Sequence, residues 1–208
     1  MNLAEKEAAF KKTTLYPVIT PGFTKGRSVI EVLEAVLAGG AKVVQLRDKE
    51  DPARYAAEFR RRTEYFKALL IINDSLETAL KYGADGVHLG PGDLSIKEAR
   101  LRAPNLLIGS SATSLNEALA AEKAGASYVA LGPIFHTLTK PRAGEALGVN
   151  ILTEALQEVR IPLVAIGGIN KNNIGEILTA GIRHIAVITA LTEAADIERA
   201  TRALLSLI

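Results

Sequence analysis

Eight short β-branched runs alternate with eight longer amphipathic ones along this chain, and that count constrains its fold more than any other feature. Strands are expected at 15–20, 42–47, 69–73, 86–90, 106–111, 128–133, 162–168 and 184–189. Helices are expected between and after them, at 28–38, 52–66, 76–82, 96–102, 115–124, 149–159, 171–180 and 195–205. Eight βα units are the number needed to close a (β/α)8 TIM barrel, with a doubly wound open sheet as the alternative architecture. A short polar helix over 3–10 precedes the first strand. The chain therefore reads as one barrel domain over 1–208, with 1–14 as an N-terminal extension and 15–208 as the barrel.

The punctuation agrees with this reading. Ala38-Gly39, Tyr82-Gly83, Ala124-Gly125 and Ala180-Gly181 stand where helices should end, and glycine there supplies a left-handed cap residue. These short αβ turns belong to the structural face. The opposite rim, built from the loops that follow the strands, is where a barrel places its chemistry.

Composition narrows the function. With 25 basic and 23 acidic residues the formal charge is only +2, too small an excess for a nucleic-acid stripe. The absence of cysteine removes disulfides, thiolate nucleophiles and Cys-ligated metals, and three histidines are too few for a histidine-rich metal site. Residues 1–12 lack the apolar core of a signal peptide, and no apolar run approaches the ~20 residues that span a bilayer. The expectation is a cytoplasmic protein with no membrane and no nucleic-acid partner.

The second strand shows where the chemistry lies. Period-two alternation sends Val43, Gln45 and Arg47 to one face and Val44 and Leu46 to the other, so a strand buried on both sides opens into polar groups at its tip. The other strand tips add Lys49, Asn73, Asp74, Asp93, Ser111, Gly167-Gly168 and Ile188 to Ala190. Two carboxylates, several cations and several glycines on one rim suit a substrate carrying phosphates together with a divalent metal.

Asp74 admits two roles, because Asp74-Ser75-Leu76-Glu77 also matches a capping box in which Asp74 caps the following helix. Asp93 is relieved of such duty, since Ser95-Ile96-Lys97-Glu98 is itself a capping box. Ser114-Leu115-Asn116-Glu117 likewise leaves the Ser111 hydroxyl available. The long connection 134–147 has the length of a binding loop and carries Thr137, Thr139, Lys140 and Arg142. Asn170 is expected to cap the helix after Gly167-Gly168. His88, within a strand, is read as a packed side chain rather than a catalytic one.

Taken together, Gln45-Leu46-Arg47-Asp48-Lys49, Asn73-Asp74, His88-Leu89-Gly90 with Asp93, Gly109-Ser110-Ser111-Ala112, Gly132-Pro133-Ile134-Phe135 with Thr137, Thr139 and Lys140, and Ala165-Ile166-Gly167-Gly168-Ile169 resemble the thiamine phosphate synthase family from about Leu15 onward. The resemblance implies a transferase that joins 4-amino-2-methyl-5-hydroxymethylpyrimidine diphosphate to hydroxyethylthiazole phosphate. Pyrophosphate would leave through a pyrimidine-stabilised carbocation, so no protein nucleophile is needed.

It further implies that Arg47, Lys49 and Lys140 are catalytic. The pyrimidine diphosphate would lie against Gln45, Leu46, Arg47, Asp48, Lys49, Asn73, Ser111 and Lys140. The thiazole phosphate would lie against Thr137, Leu138, Thr139, Gly168, Ile188 and Thr189. Asp74 and Asp93 would bind Mg2+, and a homodimer would be in keeping with the family. The chain departs from it at Pro91-Gly92, where many relatives carry Gln-Glu, and at Ala186, where some carry serine. The rival readings are a thiazole tautomerase-like isomerase, which carries a histidine just after the fifth strand, and a non-catalytic precursor-binding barrel. This chain has Ser111-Ala112-Thr113-Ser114 at that place.

Overall fold

The structure, a computed structural model, describes residues 1–139 and 144–208. Eight parallel strands close in sequence order: β1 (Leu15–Ile19), β2 (Val43–Leu46), β3 (Leu69–Asn73), β4 (Gly86–Leu89), β5 (Leu107–Ala112), β6 (Tyr128–Leu131), β7 (Leu163–Ile166) and β8 (His184–Val187). The register of Leu15 opposite Ile185 seals β1 to β8. An open sheet is thereby excluded.

The helices are α1 (Leu3–Lys11), α2 (Val29–Ala38), α3 (Ala56–Phe66), α4 (Leu76–Lys81), α5 (Ile96–Arg102), α6 (Leu115–Lys123), α7 (Asn150–Glu158), α8 (Ile174–Thr179), α9 (Thr189–Thr192) and α10 (Ile197–Leu205). None of the described helices is long and apolar enough to cross a membrane.

Strand alternation divides the core into two layers. Val44, Leu46, Leu70, Ile72, Val87 and Ile108 point outward and pack beneath the helices, while Val18, Val43, Leu69, Ile71, Leu107 and Val164 fill the barrel interior. Serine starts several helices: Ser28, Ser75, Ser95 and Ser114 each accept a hydrogen bond from the backbone N–H three residues on. After α2 the left-handed residue is Gly40, at φ +108°, rather than Gly39. Gly39 is required for another reason, since a Cβ there would lie 2.5 Å from the Thr201 Cβ on α10.

Several boundaries differ from the sequence expectation, most of all the starts of α3 and α8. α3 begins at Ala56, after a turn through 52–55. α8 begins at Ile174, because the N–H groups of Asn173 and Ile174 both turn back to the Asn170 carbonyl. Asn170 accordingly shapes the preceding turn, its side chain accepting from the Asn172 N–H at 2.9 Å, and does not cap the helix. Where the sequence predicts strand through 189, β8 ends at Val187 and Thr189 begins the single turn α9.

Helix α1 closes the N-terminal mouth of the barrel. Its start is fixed by an Asn2–Glu5 capping box, and its Lys6 donates to the Asn105 carbonyl at 3.0 Å. Phe10 enters the barrel, stacked on Tyr128 at 4.4 Å and on His184 at 5.7 Å, with its edge towards Tyr16 at 6.0 Å. Only 2% of Phe10 remains exposed. Truncation of a buried phenylalanine costs about 3–5 kcal/mol. Phe10→Ala is therefore expected to lower the melting temperature by roughly 10 °C in a thermal melt; an unchanged transition would show that the plug is dispensable.

Candidate active site

A cavity of about 400 Å³ occupies the opposite, C-terminal end of the barrel, within the size range of small-molecule sites. Its charged edge comes from β2, β3 and β4. Arg47 continues the inward phase of β2, its N–H held by the Ile19 carbonyl at 2.8 Å. Burial lowers its guanidinium pKa from the ordinary value and neighbouring Asp74 opposes that shift, so Arg47 stays charged. Lys49 reaches across to form an ion pair with the Asp74 Oδ2.

The position of Asp74 decides between its two possible roles. It stands outside α4 at φ +63°, its own N–H donating to the His88 carbonyl at 2.8 Å, while Ser75 supplies the cap at 3.1 Å. Asp74 is a wall of the cavity rather than a helix cap. Asp93 lines the same edge, its Oδ2 accepting from the Gly90 N–H at 2.7 Å. Burial first, and then the adjacent Asp74 carboxylate, raise the Asp93 pKa above its usual value. A partly exposed ion pair such as Lys49–Asp74 contributes only about 0–1 kcal/mol. Stability alone therefore gives no reason to crowd two carboxylates here.

The floor is polar but uncharged. Gln45 Nε2 donates to the Tyr16 Oη at 2.9 Å, and the Tyr16 and Tyr128 hydroxyls lie 2.8 Å apart. His88 joins Tyr128 through Nδ1 at 3.2 Å and Ser111 through Nε2 at 3.0 Å. Asn73 lies beside this chain, and its buried Nδ2 has no hydrogen-bond acceptor among the described residues. Burial is the main influence on both phenols and raises their pKa values.

The far edge is made by the later strands. Thr137 and Thr139 face the cavity, with the Thr139 N–H donating to Thr137 Oγ1 at 3.3 Å. Gly167 and Gly168, at φ +103° and +65°, bring the β7 loop against the loop after β6; a Cβ on Gly167 would sit 2.5 Å from Pro133. Ile188 and Thr189 line the cavity where β8 gives way to α9.

Arg27, from the loop after β1, fastens this end. It donates to the carbonyls of Thr24, Ala194 and Thr192 at 3.1, 2.8 and 3.0 Å.

Twelve of the expected site residues thus meet around one cavity on the described part of the rim: Gln45, Arg47, Lys49, Asn73, Asp74, Asp93, Ser111, Thr137, Thr139, Gly168, Ile188 and Thr189. Three do not reach it. Leu46 is on the outward phase of β2 and packs beneath the helices. Asp48 turns away to accept from the N–H groups of Glu50 and Asp51 at 3.0 and 3.2 Å, with Arg54 3.6 Å from its other oxygen. Leu138 is 81% exposed on the outer side of its loop. Lys140 and Arg142 lie outside the described residues. Tyr16, His88 and Tyr128 were not anticipated as site residues. Their signal was available, since all three fall on the inward phase of their strands with polar atoms that need partners.

The family model described as "Thiamine monophosphate synthase" matches residues 15–191. A "Thiamine-phosphate synthase" of Chloroflexus aurantiacus is 43% identical over 198 residues, covering 93% of this chain and 92% of the relative. One of Methanospirillum hungatei is 43% identical over 193 residues, covering 90% and 94%. The solved structure of a "Thiamine phosphate pyrophosphorylase" from Pyrococcus furiosus superposes with a TM-score of 0.85 at 41% identity, covering 94% of this chain and 95% of that one.

The charged edge is testable by titration. Lys49 lowers the Asp93 pKa by its charge, in opposition to burial and Asp74. In Lys49→Ala, without added metal, a carbon-13 NMR titration should find the Asp93 carboxyl titrating at higher pH than in the parent protein. A fall in that midpoint would refute the described balance of charges.

Proposed function

Because the chain belongs to the thiamine monophosphate synthase family, we propose that its cavity joins 4-amino-2-methyl-5-hydroxymethylpyrimidine diphosphate to hydroxyethylthiazole phosphate, giving thiamine phosphate and pyrophosphate. The observation that carries this reading is the division of one cavity into a charged edge, a neutral polar floor and a far edge of hydroxyls and glycines. Two substrates with different anionic ends need such a division. The proposed enzyme has a cytoplasmic location, which the absence of cysteine suits, and forms a homodimer, which the family resemblance implies.

In the proposed reaction the C–O bond to the diphosphate breaks with its electron pair leaving on pyrophosphate, and the thiazole nitrogen supplies the pair for the new C–N bond. Arg47 and Lys49 stand where the departing diphosphate gains charge, and Lys140 is proposed to join them. A unit-charge pair at 4 Å is worth about 4 kcal/mol at an effective dielectric of 20. If half of that develops only in the transition state, each cation supplies roughly one to two decades of rate. Gln45, Asn73 and Ser111 would orient the pyrimidine, the unsatisfied Asn73 Nδ2 being well suited to an anionic or ring acceptor. Thr137, Thr139, Gly168, Ile188 and Thr189 would hold the thiazole phosphate beside the reacting carbon, which converts an encounter into a positioned reaction.

The donor set at Asp74 and Asp93 fits Mg2+, which takes one or two carboxylates together with phosphate oxygens and water. Burial and then the adjacent Asp74 carboxylate raise the Asp93 pKa, and a nearby cation would oppose both influences. When bound, the metal would neutralise diphosphate oxygens and so improve the leaving group. The isomerase reading is weaker, since the one imidazole near the end of β5, His88, is engaged at both nitrogens by Tyr128 and Ser111.

Mixing the purified protein with both substrates and Mg2+ should release pyrophosphate and form thiamine phosphate; no product under saturating conditions would refute the assignment. Arg47→Ala should lower kcat by at least tenfold while leaving thiazole phosphate binding within about twofold, as isothermal titration would show. Asp93→Ala should shift the magnesium titration of activity to higher metal concentration, and an unmoved curve would remove Asp93 from the metal site.

A further inference from the structure

The floor of the cavity contains more order than substrate contact requires. Five side chains from five strands form one hydrogen-bonded chain: Gln45, Tyr16, Tyr128, His88 and Ser111. Tyr128 is its centre, and its ring is immobilised by packing. Phe10 stacks beneath it at 4.4 Å, and Gly109 gives it room that any Cβ would obstruct. The ring is fully buried.

We propose that Tyr128 is a positioning residue: through Tyr16 and His88 it fixes the direction in which hydrogen bonds run between Gln45 and Ser111, and so sets the donor and acceptor that the floor presents to a heteroaromatic ring. The donor rules follow link by link. The Gln45 amide nitrogen can only donate, so the Tyr16 oxygen accepts from it and the Tyr16 hydroxyl donates to the Tyr128 oxygen. Tyr128 then donates to His88 Nδ1, which makes Nδ1 the lone-pair nitrogen and places the imidazole proton on Nε2. Nε2–H donates to Ser111 Oγ, and the Ser111 proton is directed into the cavity. The Gln45 amide oxygen is left as an acceptor on the opposite wall.

Burial raises both phenol pKa values, so each hydroxyl keeps the proton the chain requires. One donor and one acceptor across the floor complement a ring that carries an amino group beside a ring nitrogen. A ring with an oxo group in place of the amino group meets the pattern reversed. The identity of that ring as an aminopyrimidine rests on the synthase reading; the direction of the chain does not.

The test is Tyr128→Phe in the full chain, which keeps the stacked ring and removes the central hydroxyl. Nitrogen-15 NMR of the ligand-free parent protein, with the His88 signals identified by their loss in His88→Gln, should show His88 as the Nε2–H tautomer. In Tyr128→Phe that signature should move towards the Nδ1–H form. The KM for the pyrimidine diphosphate should rise tenfold or more, the penalty expected when buried polar groups lose their partners, while thiazole phosphate binding changes less than twofold. Should Tyr128→Phe fold poorly, Tyr16→Phe cuts the chain one link away and should weaken pyrimidine diphosphate binding in the same sense. An unmoved His88 tautomer in Tyr128→Phe, or an Nδ1–H tautomer in the parent, would overturn the proposal. Loss of the synthase reading would appear separately, as a parent protein with the expected tautomer and no turnover.

Discussion

The contact between Phe10 and Tyr128 divides the barrel into a dry half and a wet half. A helix outside the repeat supplies the phenyl ring, and a strand supplies the phenol that covers it. Below the contact the interior is mainly aromatic and aliphatic; above it β1 to β5 present Tyr16, Gln45, Asn73, His88 and Ser111 to the cavity. Without that plug the hydroxyls of Tyr16 and Tyr128 would have water beneath them. A hydrogen-bonded floor is worth most where water is excluded from one side. The rigidity of the upper site thus derives from apolar packing at the opposite end of the molecule.

Much of the architecture could be read from periodicity, because burial on both faces of a parallel strand leaves a recognisable β-branched run. The placement of Gln45 and Arg47 followed directly from the alternation in β2. Asp74 could not be resolved the same way. Its sequence context permits two structures, and only the left-handed backbone at that residue, with Ser75 taking the cap, separates them. Asp48 and Leu138 show the converse problem: a residue inside a recognised motif can point away from the ligand, since loop phase is set by local hydrogen bonds and not by strand period. His88 is packed as its place in a strand predicts, but its links to Tyr128 and through it to Tyr16 are not legible in sequence, because a buried polar residue reads as satisfied packing until its partners are seen.

Electrostatics at the charged edge follow the same division between local and global causes. Lys49 is more than half exposed and its pair with Asp74 is worth little to folding, yet it is the nearest compensation for two carboxylates in one wall. Arg47 is the more deeply set cation, and its burial is a cost that the fold sustains. Charges kept at the expense of solvation are commonly those on which function depends.

Arg27 has a consequence for how the site comes into being during synthesis. It is made early, in the first loop, but two of its three carbonyl partners, Thr192 and Ala194, lie some 165 residues further along the chain. The strand that seals β1 is also the last, β8. A nascent chain emerging from the ribosome would carry Arg47, Lys49 and both carboxylates long before the opposite edge existed. The cavity is therefore complete only in the finished polypeptide, and fragments that end before α9 would lack Thr189 in its wall and the Thr192 and Ala194 carbonyls that fasten Arg27.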